Sequence, residues 1–229
     1  MIQTVIFDMD GVIVDTELVH HYAFNKYFKE LNIHVSQEMY ASFTGNSTRN
    51  VFEKLILEFD LNQDVDDLVN RKRDIFNEAF DKKEDLFLLN GVLDLIKDLH
   101  KNGIQMVLAS SSANVTINKI FKRFNLNQYF SHIVSGEDFE KSKPDPAIFV
   151  HAALLSKTKA ENCIVIEDST NGIIAAKSAD IFCIGYDSPN SKLQDYSLAD
   201  TVITDFKELN FDIISKIKIR SLPFLSSGK

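Results

Sequence analysis

Residues 4–16 read Thr-Val-Ile-Phe-Asp-Met-Asp-Gly-Val-Ile-Val-Asp-Thr, so Asp8 and Asp10 stand one residue apart behind a short apolar run. Thr4 to Phe7 is rich in β-branched residues and suits a strand buried on both faces. Residues two apart in an extended chain point to the same side, so both carboxylates address one space. Open α/β sheets bind ligands just beyond the carboxyl ends of their strands. Two anions held together there need a cation or a proton. Magnesium suits them, because it takes hard oxygen ligands and works beside phosphate. Gly11 then lets the chain turn away without a Cβ in the way. Taken alone, the pair reads equally well as carboxylates capping a turn or the next helix.

Working outward, the strand pattern recurs at Ile104–Ser110, His132–Ser135, Cys163–Glu167, Ile181–Gly185 and Thr201–Ile203. Helical periods lie between several of these runs. Val92, Leu95, Ile96 and Leu99 share a face, with Gly103 as a stop. Ile117, Ile120, Phe121 and Phe124 share another, and Pro146 opens a third helix as a first-turn proline. The alternation predicts an α/β fold, a parallel sheet with helices on both faces. One region departs from it. From about residue 16 to residue 86 only helical stripes occur: Val19, Ala23, Tyr27 and Leu31; then Val51, Phe52, Leu55, Ile56 and Phe59; then Val65, Leu68, Val69, Ile75, Phe76, Ala79 and Phe80. The expected organisation is an α/β core over 1–15 and 87–218, an inserted helical unit over 16–86, and a frayed tail over 219–229.

A chain of 229 residues with 45% hydrophobic and 25% charged residues accommodates a sizeable core. The formal net charge of −8 and the lack of a basic stripe argue against nucleic acid and anionic membrane as partners. No apolar run has bilayer-spanning length, and the first ten residues do not read as a signal peptide. Cys163 and Cys183 sit in separate apolar runs and read as reduced, buried thiols, which suits a cytoplasmic protein. Apart from His20 and His21, which fall in the first helical segment of the insert, the histidines at 34, 100, 132 and 151 show no metal-ligand spacing.

Three further stretches bear on Asp8 and Asp10. "LASSS" puts Ser110 at the end of a second strand, "SKPDP" puts Lys143 just ahead of a helix, and "VIEDSTNG" puts Glu167 and Asp168 at the end of a third strand. Each has a plain reading as a cap, a surface lysine or a turn. Together they are a hydroxyl, an ammonium and two more carboxylates at converging strand ends. Such a set can bind magnesium and phosphate and can supply a carboxylate nucleophile.

In order and spacing the four stretches resemble the four motifs of the haloacid dehalogenase superfamily, and the helical insert resembles its small cap. "DMDGVIVDTE", "KPDP" and "IEDSTNG" point to the branch of β-phosphoglucomutases and sugar-phosphate phosphatases. The resemblance implies a Rossmann-like core with an inserted all-helical cap. It implies Asp8 as the nucleophile that takes the phosphoryl group and Asp10 as the general acid and base. Asp8 would stay ionised on Mg2+, and Asp10 would carry a proton part of the time. Ser110 would bond the phosphoryl oxygens and Lys143 would neutralise charge. Magnesium would be held by Asp8, the Asp10 carbonyl and Asp168, with Glu167 in support. His20, in a stretch similar to the branch's "E-x-x-H", Arg49, Ser111, Ser112 and Asn114 would contact substrate. His20 also reads as an exposed or capping histidine. The expected partner is a small phosphorylated metabolite, with no obligate protein partner.

The implied activity is a magnesium-dependent phosphatase acting through an aspartyl phosphate. A β-phosphoglucomutase-type phosphomutase and a non-catalytic, phospho-dependent binding protein are the alternatives. Two departures disfavour the mutase. Its cap arginine follows "G-x-S" directly, whereas Thr48 intervenes before Arg49 here. Its "S-x-S-K-N" loop reads "SSSAN" here, with Ala113 in the lysine's place. Arg71, Lys72 or Arg73 are the cations that could compensate.

Overall fold

β1 (Thr4–Phe7) is buried at every position, as its unbroken apolar run requires. The computed structural model describes residues 1–189 and 193–217, and the expected tail over 219–229 lies outside them. The other strands are β2 (Gln105–Ser110), β3 (His132–Ser135), β4 (Cys163–Glu167), β5 (Phe182–Tyr186) and β6 (Thr201–Ile203). They form one six-stranded sheet in the order β3-β2-β1-β4-β5-β6. Every pairing is parallel, with Phe7 opposite both Leu108 and Ile166. The expected strand runs therefore all form strands, β2 starting one residue late and β5 shifted by one residue.

Alternate side chains of each strand go to opposite faces, and two apolar layers result. On one face Val5, Phe7, Met106, Leu108, Ile164 and Ile166 pack against α5 (Val92–Lys101) and α6 (Asn114–Arg123). On the other, Ile6, Val107, Ala109, Val165 and Cys183 pack against α7 (Ala147–Leu155) and α8 (Thr170–Ser178). Pro146 precedes the first residue of α7 instead of opening it. A short α9 (Phe211–Ser215) closes the described chain. Cys163 and Cys183 are buried and unbridged. Among the described residues no helix is long and apolar enough to cross a membrane.

Between β1 and α5 the chain forms α1 (Glu17–Glu30), α2 (Gln37–Ala41), α3 (Thr48–Phe59) and α4 (Val65–Lys82). The expected stripes become the inner faces of α1, α3 and α4, with Val19, Ala23, Tyr27, Phe52, Leu55, Leu68, Ile75, Phe76 and Phe80 buried. Ser36, Ser47 and Asp64 start α2, α3 and α4 by accepting a backbone N–H of the first turn. The sequence reading has no counterpart for α2. Its five residues are too few to show a helical period. The buried stripe of α4 also carries one lysine, Lys72, only 2% exposed.

Candidate active site

The strand order reverses between β1 and β4, since β2 and β3 lie on one side of β1 and β4 to β6 on the other. That switch point opens a crevice at the carboxyl end of the sheet. Asp8 enters it directly after β1, its backbone N–H continuing the ladder to Ile166 O at 3.0 Å. Ser110 ends β2, and Glu167 ends β4 with Asp168 following. Lys143 comes from the loop before α7. Its Nζ lies 2.5 Å from Asp8 Oδ1, 2.8 Å from Glu167 Oε1 and 3.2 Å from Ala109 O. Glu167 Oε2 accepts from the N–H and Oγ of Ser169 at 2.7 and 2.9 Å. A Cβ on Gly172 would stand 1.8 Å from Glu167 Oε1, so the first turn of α8 closes on that carboxylate. Gly11 (φ +82) is pressed against Asp168 in the same way, its notional Cβ 2.0 Å from Oδ2.

Asp10 is held by hydroxyls. Ser112 Oγ donates to Oδ2 at 2.6 Å, and Thr16 Oγ1 donates to Oδ1. His20 Nε2 faces Oδ1 at 3.6 Å, and its Nδ1 lies 2.7 Å from Lys72 Nζ. When Lys72 is charged its ammonium only donates, and then Nδ1 accepts and the ring proton sits on Nε2, toward Asp10. Lys72 is enclosed by the rings of Phe24 and Phe76, 4.4 and 5.1 Å from their centroids.

These surroundings move the titrations apart. Burial pushes the Asp8 carboxyl up to about 7 against the pull of Lys143, with Glu167 and Asp10 adding to the rise. Burial acts the same way on Asp10, but His20, Ser112 and Thr16 outweigh it and hold that carboxyl down at about 2. Among the protein's own groups the anion is opposed at Asp8 and favoured at Asp10; the expected assignment, Asp8 ionised on Mg2+ and Asp10 carrying a proton part of the time, adds the cation to that balance. The cause is the distribution of donors: Asp10 has three neighbours that bond its anion, and Asp8 shares its one ammonium with Glu167. Burial opposes the charge of Lys143, and the two carboxylates overcome it and raise its pKa. Burial also pulls Lys72 down to about 7, against Asp10 and Glu17. His20 is lowered by burial and by Lys72.

A cavity lies between these strand ends and the helical insert. Its core side is lined by Asp8, Asp10, Gly11, Ser111, Ser112, Ala113, Asp168 and Ser169, and its cap side includes Glu17, His20, Phe24, Tyr40, Thr44, Thr48, Lys72, Arg73 and Phe76. Ser110 lies behind the wall, fully buried, its Oγ accepting from Ser112 N at 3.0 Å. Ser111 Oγ donates to Gly45 O at 2.7 Å, which ties the loop after β2 to the cap.

Three expected contacts to the substrate or its phosphoryl group do not reach this cavity: Ser110, enclosed behind its wall by the bond to Ser112 N, and Arg49 and Asn114. Arg49 pairs with Asp66, while Thr48, directly after the Ser47 cap, takes the lining position. Neighbouring residues differ by about 100° around a helix, and that rotation turns Arg49 away. Asn114 starts α6, with its N–H on Glu137 Oε2 at 2.9 Å and its amide near Asp138. Glu17 and Tyr40 are lining residues the sequence reading missed. Tyr40 donates to Glu17 Oε1 at 3.0 Å, and burial pushes Glu17 up to about 7 despite that bond. Glu17 was legible in principle, three residues before His20 and so on the same helix face. Tyr40 carries no such signal, because it lies on the unexpected α2.

The donor set suits a hard divalent cation. Asp8 and Glu167 meet one lysine, Asp10 and Asp168 line the cavity with Asp8, and all four donors are carboxylates with no cysteine among them. Among the described residues no three or more His, Cys, Asp and Glu side chains converge as a metal site. Two carboxylates with a backbone carbonyl, substrate oxygens and water are a sufficient shell for magnesium, and not for a metal needing an all-protein cage.

Residues 5–186 match the family described as haloacid dehalogenase-like hydrolase. The chain belongs to the haloacid dehalogenase-like hydrolases. It is 30% identical over 217 residues to a β-phosphoglucomutase of Bacillus subtilis, covering 93% of each chain. It is 26% identical to a phosphorylated carbohydrates phosphatase of Thermotoga maritima, covering 78% of this chain and 82% of that one. A variant of CbbY from Rhodobacter sphaeroides, in complex with xylulose 1,5-bisphosphate, superposes with TM-score 0.79 at 25% identity, over 91% of this chain and 96% of that one. The haloacid dehalogenase-like fold expected from the sequence, a parallel α/β core with a helical cap, is the fold observed. The chain is an enzyme of this hydrolase family, whose members here include a phosphatase and a phosphomutase.

Proposed function

We propose that the protein is a magnesium-dependent phosphatase that hydrolyses a small phosphorylated metabolite, a sugar phosphate, through a phosphoryl group carried on Asp8. The observation that carries this reading is the pair of carboxylates at one cavity wall, Asp8 against Lys143 and Asp10 oriented separately by Thr16 and Ser112. An Asp8 oxygen attacks phosphorus and the ester P–O bond breaks, with Asp10 giving a proton to the departing oxygen. Water then attacks phosphorus, the bond to Asp8 breaks and Asp10 takes the water's proton. The donors around Asp10 favour its anion and so favour the second, base half of that role. Asp8, the Asp10 carbonyl and Asp168 would hold magnesium, with Glu167 supporting. The ion supplies positive charge to the phosphoryl oxygens and offsets the burial that raises Asp8. Lys143 neutralises Asp8, and Ser110 positions the loop that carries Ser112.

The cap side of the cavity supports a hydroxylated substrate. Glu17, Tyr40 and Thr44 add acceptors and donors to a lining that also includes Phe24 and Phe76. His20, Ser111 and Ser112 stay in the substrate-facing set; Arg49 and Asn114 drop out of it. The residue ranges 1–15 with 87–218 and 16–86 are the proposed core and cap. Buried, unbridged cysteines support a cytoplasmic setting.

A phosphomutase is the second reading, favoured by the 30% identity to a β-phosphoglucomutase. Ala113 and the outward Arg49 weigh against it, because each leaves a distal phosphate without a cation. The test is a panel of sugar phosphates, nucleotides and pyrophosphate with magnesium, reading phosphate release, alongside β-glucose 1-phosphate with a bisphosphate primer. Hydrolysis of at least one monophosphate, outpacing isomerisation, is expected. Isomerisation that outpaces phosphate release would replace the phosphatase with the mutase.

A further inference from the structure

One ion pair joins the cap to the core at the edge of this cavity. Arg73 leaves α4 one residue after Lys72 and lines the cavity beside Ala113 and Thr116. Its Nη2 donates to Glu137 Oε1 at 2.7 Å. Glu137 belongs to the turn after β3, and its other oxygen, Oε2, accepts the Asn114 N–H at 2.9 Å. The turn is held hard against the loop after β2, since a Cβ on Gly136 would come within 2.9 Å of Ser111 Cα. The side chains of Arg73 and Glu137 are 28% and 37% exposed, and Arg73, which lines the cavity, carries Glu137 on its guanidinium.

The cations of the cavity are all engaged. Lys72 is walled in by Phe24, Phe76 and His20. Outside the cavity, Arg49 is on Asp66 and Arg71 on Glu30. Arg73 is the lining guanidinium, and its charge is answered by Glu137. A substrate's second phosphate, carried in beside Ala113, would meet the Glu137 carboxylate already bonded to Arg73 and to the Asn114 N–H. Two anions competing for the same donors repel each other.

We propose that Glu137 is a specificity-determining residue: by occupying Arg73 and the Asn114 N–H it closes the cavity to a second anionic group and restricts the enzyme to singly phosphorylated substrates. The inference rests on the phosphatase reading above and deepens it. It goes beyond that reading because the discrimination is built from the chain's own carboxylate, not from a missing cation.

The experiment compares matched pairs, glucose 6-phosphate with glucose 1,6-bisphosphate and fructose 6-phosphate with fructose 1,6-bisphosphate, by phosphate release with magnesium. The proteins are the wild type, Glu137→Gln, Arg73→Ala and the double variant. Glutamine keeps an acceptor for the Asn114 N–H, removes the charge and leaves an NH2 donor in place of the oxygen that held Arg73, and circular dichroism of each protein reports its folding. The wild type should favour the monophosphate of at least one pair in kcat/KM by about tenfold or more, the scale of one charge-assisted hydrogen bond. Glu137→Gln should lower KM for the bisphosphate by about tenfold with no matching change for the monophosphate, and Arg73→Ala should remove that gain in the double variant. Binding to Asp8→Asn proteins, measured by calorimetry, should follow the same pattern, which separates affinity from turnover. Equal treatment of both members of each pair by the wild type, or a parallel shift of both in Glu137→Gln, overturns the inference and leaves the phosphatase intact. No phosphate release from any ester by the wild type overturns both.

Discussion

Lys143 Nζ sits 2.5 Å from Asp8 Oδ1 in a site where Lys143 is only 1% exposed and Asp8 6%. The ammonium also meets Glu167 at 2.8 Å, so one buried cation holds two carboxylates. Removing one partner of such a group leaves buried charge unanswered, which typically costs about 3–5 kcal/mol. Lys143→Met should therefore lower the unfolding free energy by about that amount and reduce turnover severely. Denaturant titration checks the first effect and phosphate release the second. A variant as stable as the wild type would show that the ion pair contributes nothing net.

Asp8→Asn should abolish turnover with the fold retained, because the amide keeps the shape and loses the nucleophile. Asp10→Asn should lose about a hundred- to ten-thousand-fold, the usual range for a positioned proton-transfer group. Circular dichroism and steady-state phosphate release on both purified variants test this. Near-normal rates in either one would contradict the assigned roles.

The pH dependence of stability should carry the mark of Glu17. Burial raises this carboxyl from 4.5 to about 7, so between those values the folded chain binds a proton that the unfolded chain has released. Stability from this group is full below the unfolded value and is lost as pH rises through about 7. Lys72 works in a higher window. Burial lowers it from 10.5 to about 7, so its contribution improves as pH rises from about 7 to 10.5. Glu17→Gln should flatten the lower window and gain about 1–2 kcal/mol over the wild type at neutral pH, the scale of one to two pKa units. Thermal midpoints of both proteins across the pH range provide the check. Parallel curves would place the slope elsewhere.

Activity should disappear in chelator, return with magnesium and return poorly with calcium, whose looser, larger coordination misplaces oxygen ligands. A metal titration of chelator-treated protein, followed by activity and by thermal midpoint, tests this. Undiminished turnover in metal-free buffer would rule out the cation role given to Asp8 and Asp168.

Much of this molecule is written in local pattern. The runs at 4–7, 132–135, 163–167 and 201–203 are strands over those same residues; the apolar, β-branched runs at 4–7 and 163–167 are buried throughout, as central parallel strands are, whereas 201–203 is exposed at two of its three positions. The positions of Asp8, Ser110, Glu167 and Asp168 follow at once, since each ends or follows such a strand. The stripes of α1, α3 and α4 were equally legible from their period. What no local pattern contains is distance across the chain. That Lys143 reaches Asp8 and Glu167 depends on how the sheet and its loops assemble, that Lys72 folds inward onto His20 on how α1 packs against α4, and that Arg73 meets Glu137 on how the cap sits over the core. Arg49 and Thr48 are adjacent in sequence, yet only Thr48 lines the cavity, a choice made by the helix rotation that the Ser47 cap sets. The ionisation of the two opening aspartates is likewise a tertiary property. Asp8 and Asp10 are the same residue type on the same turn, and they are driven to opposite pKa values because hydroxyls from Thr16 and Ser112 surround one, while the other shares a single buried ammonium.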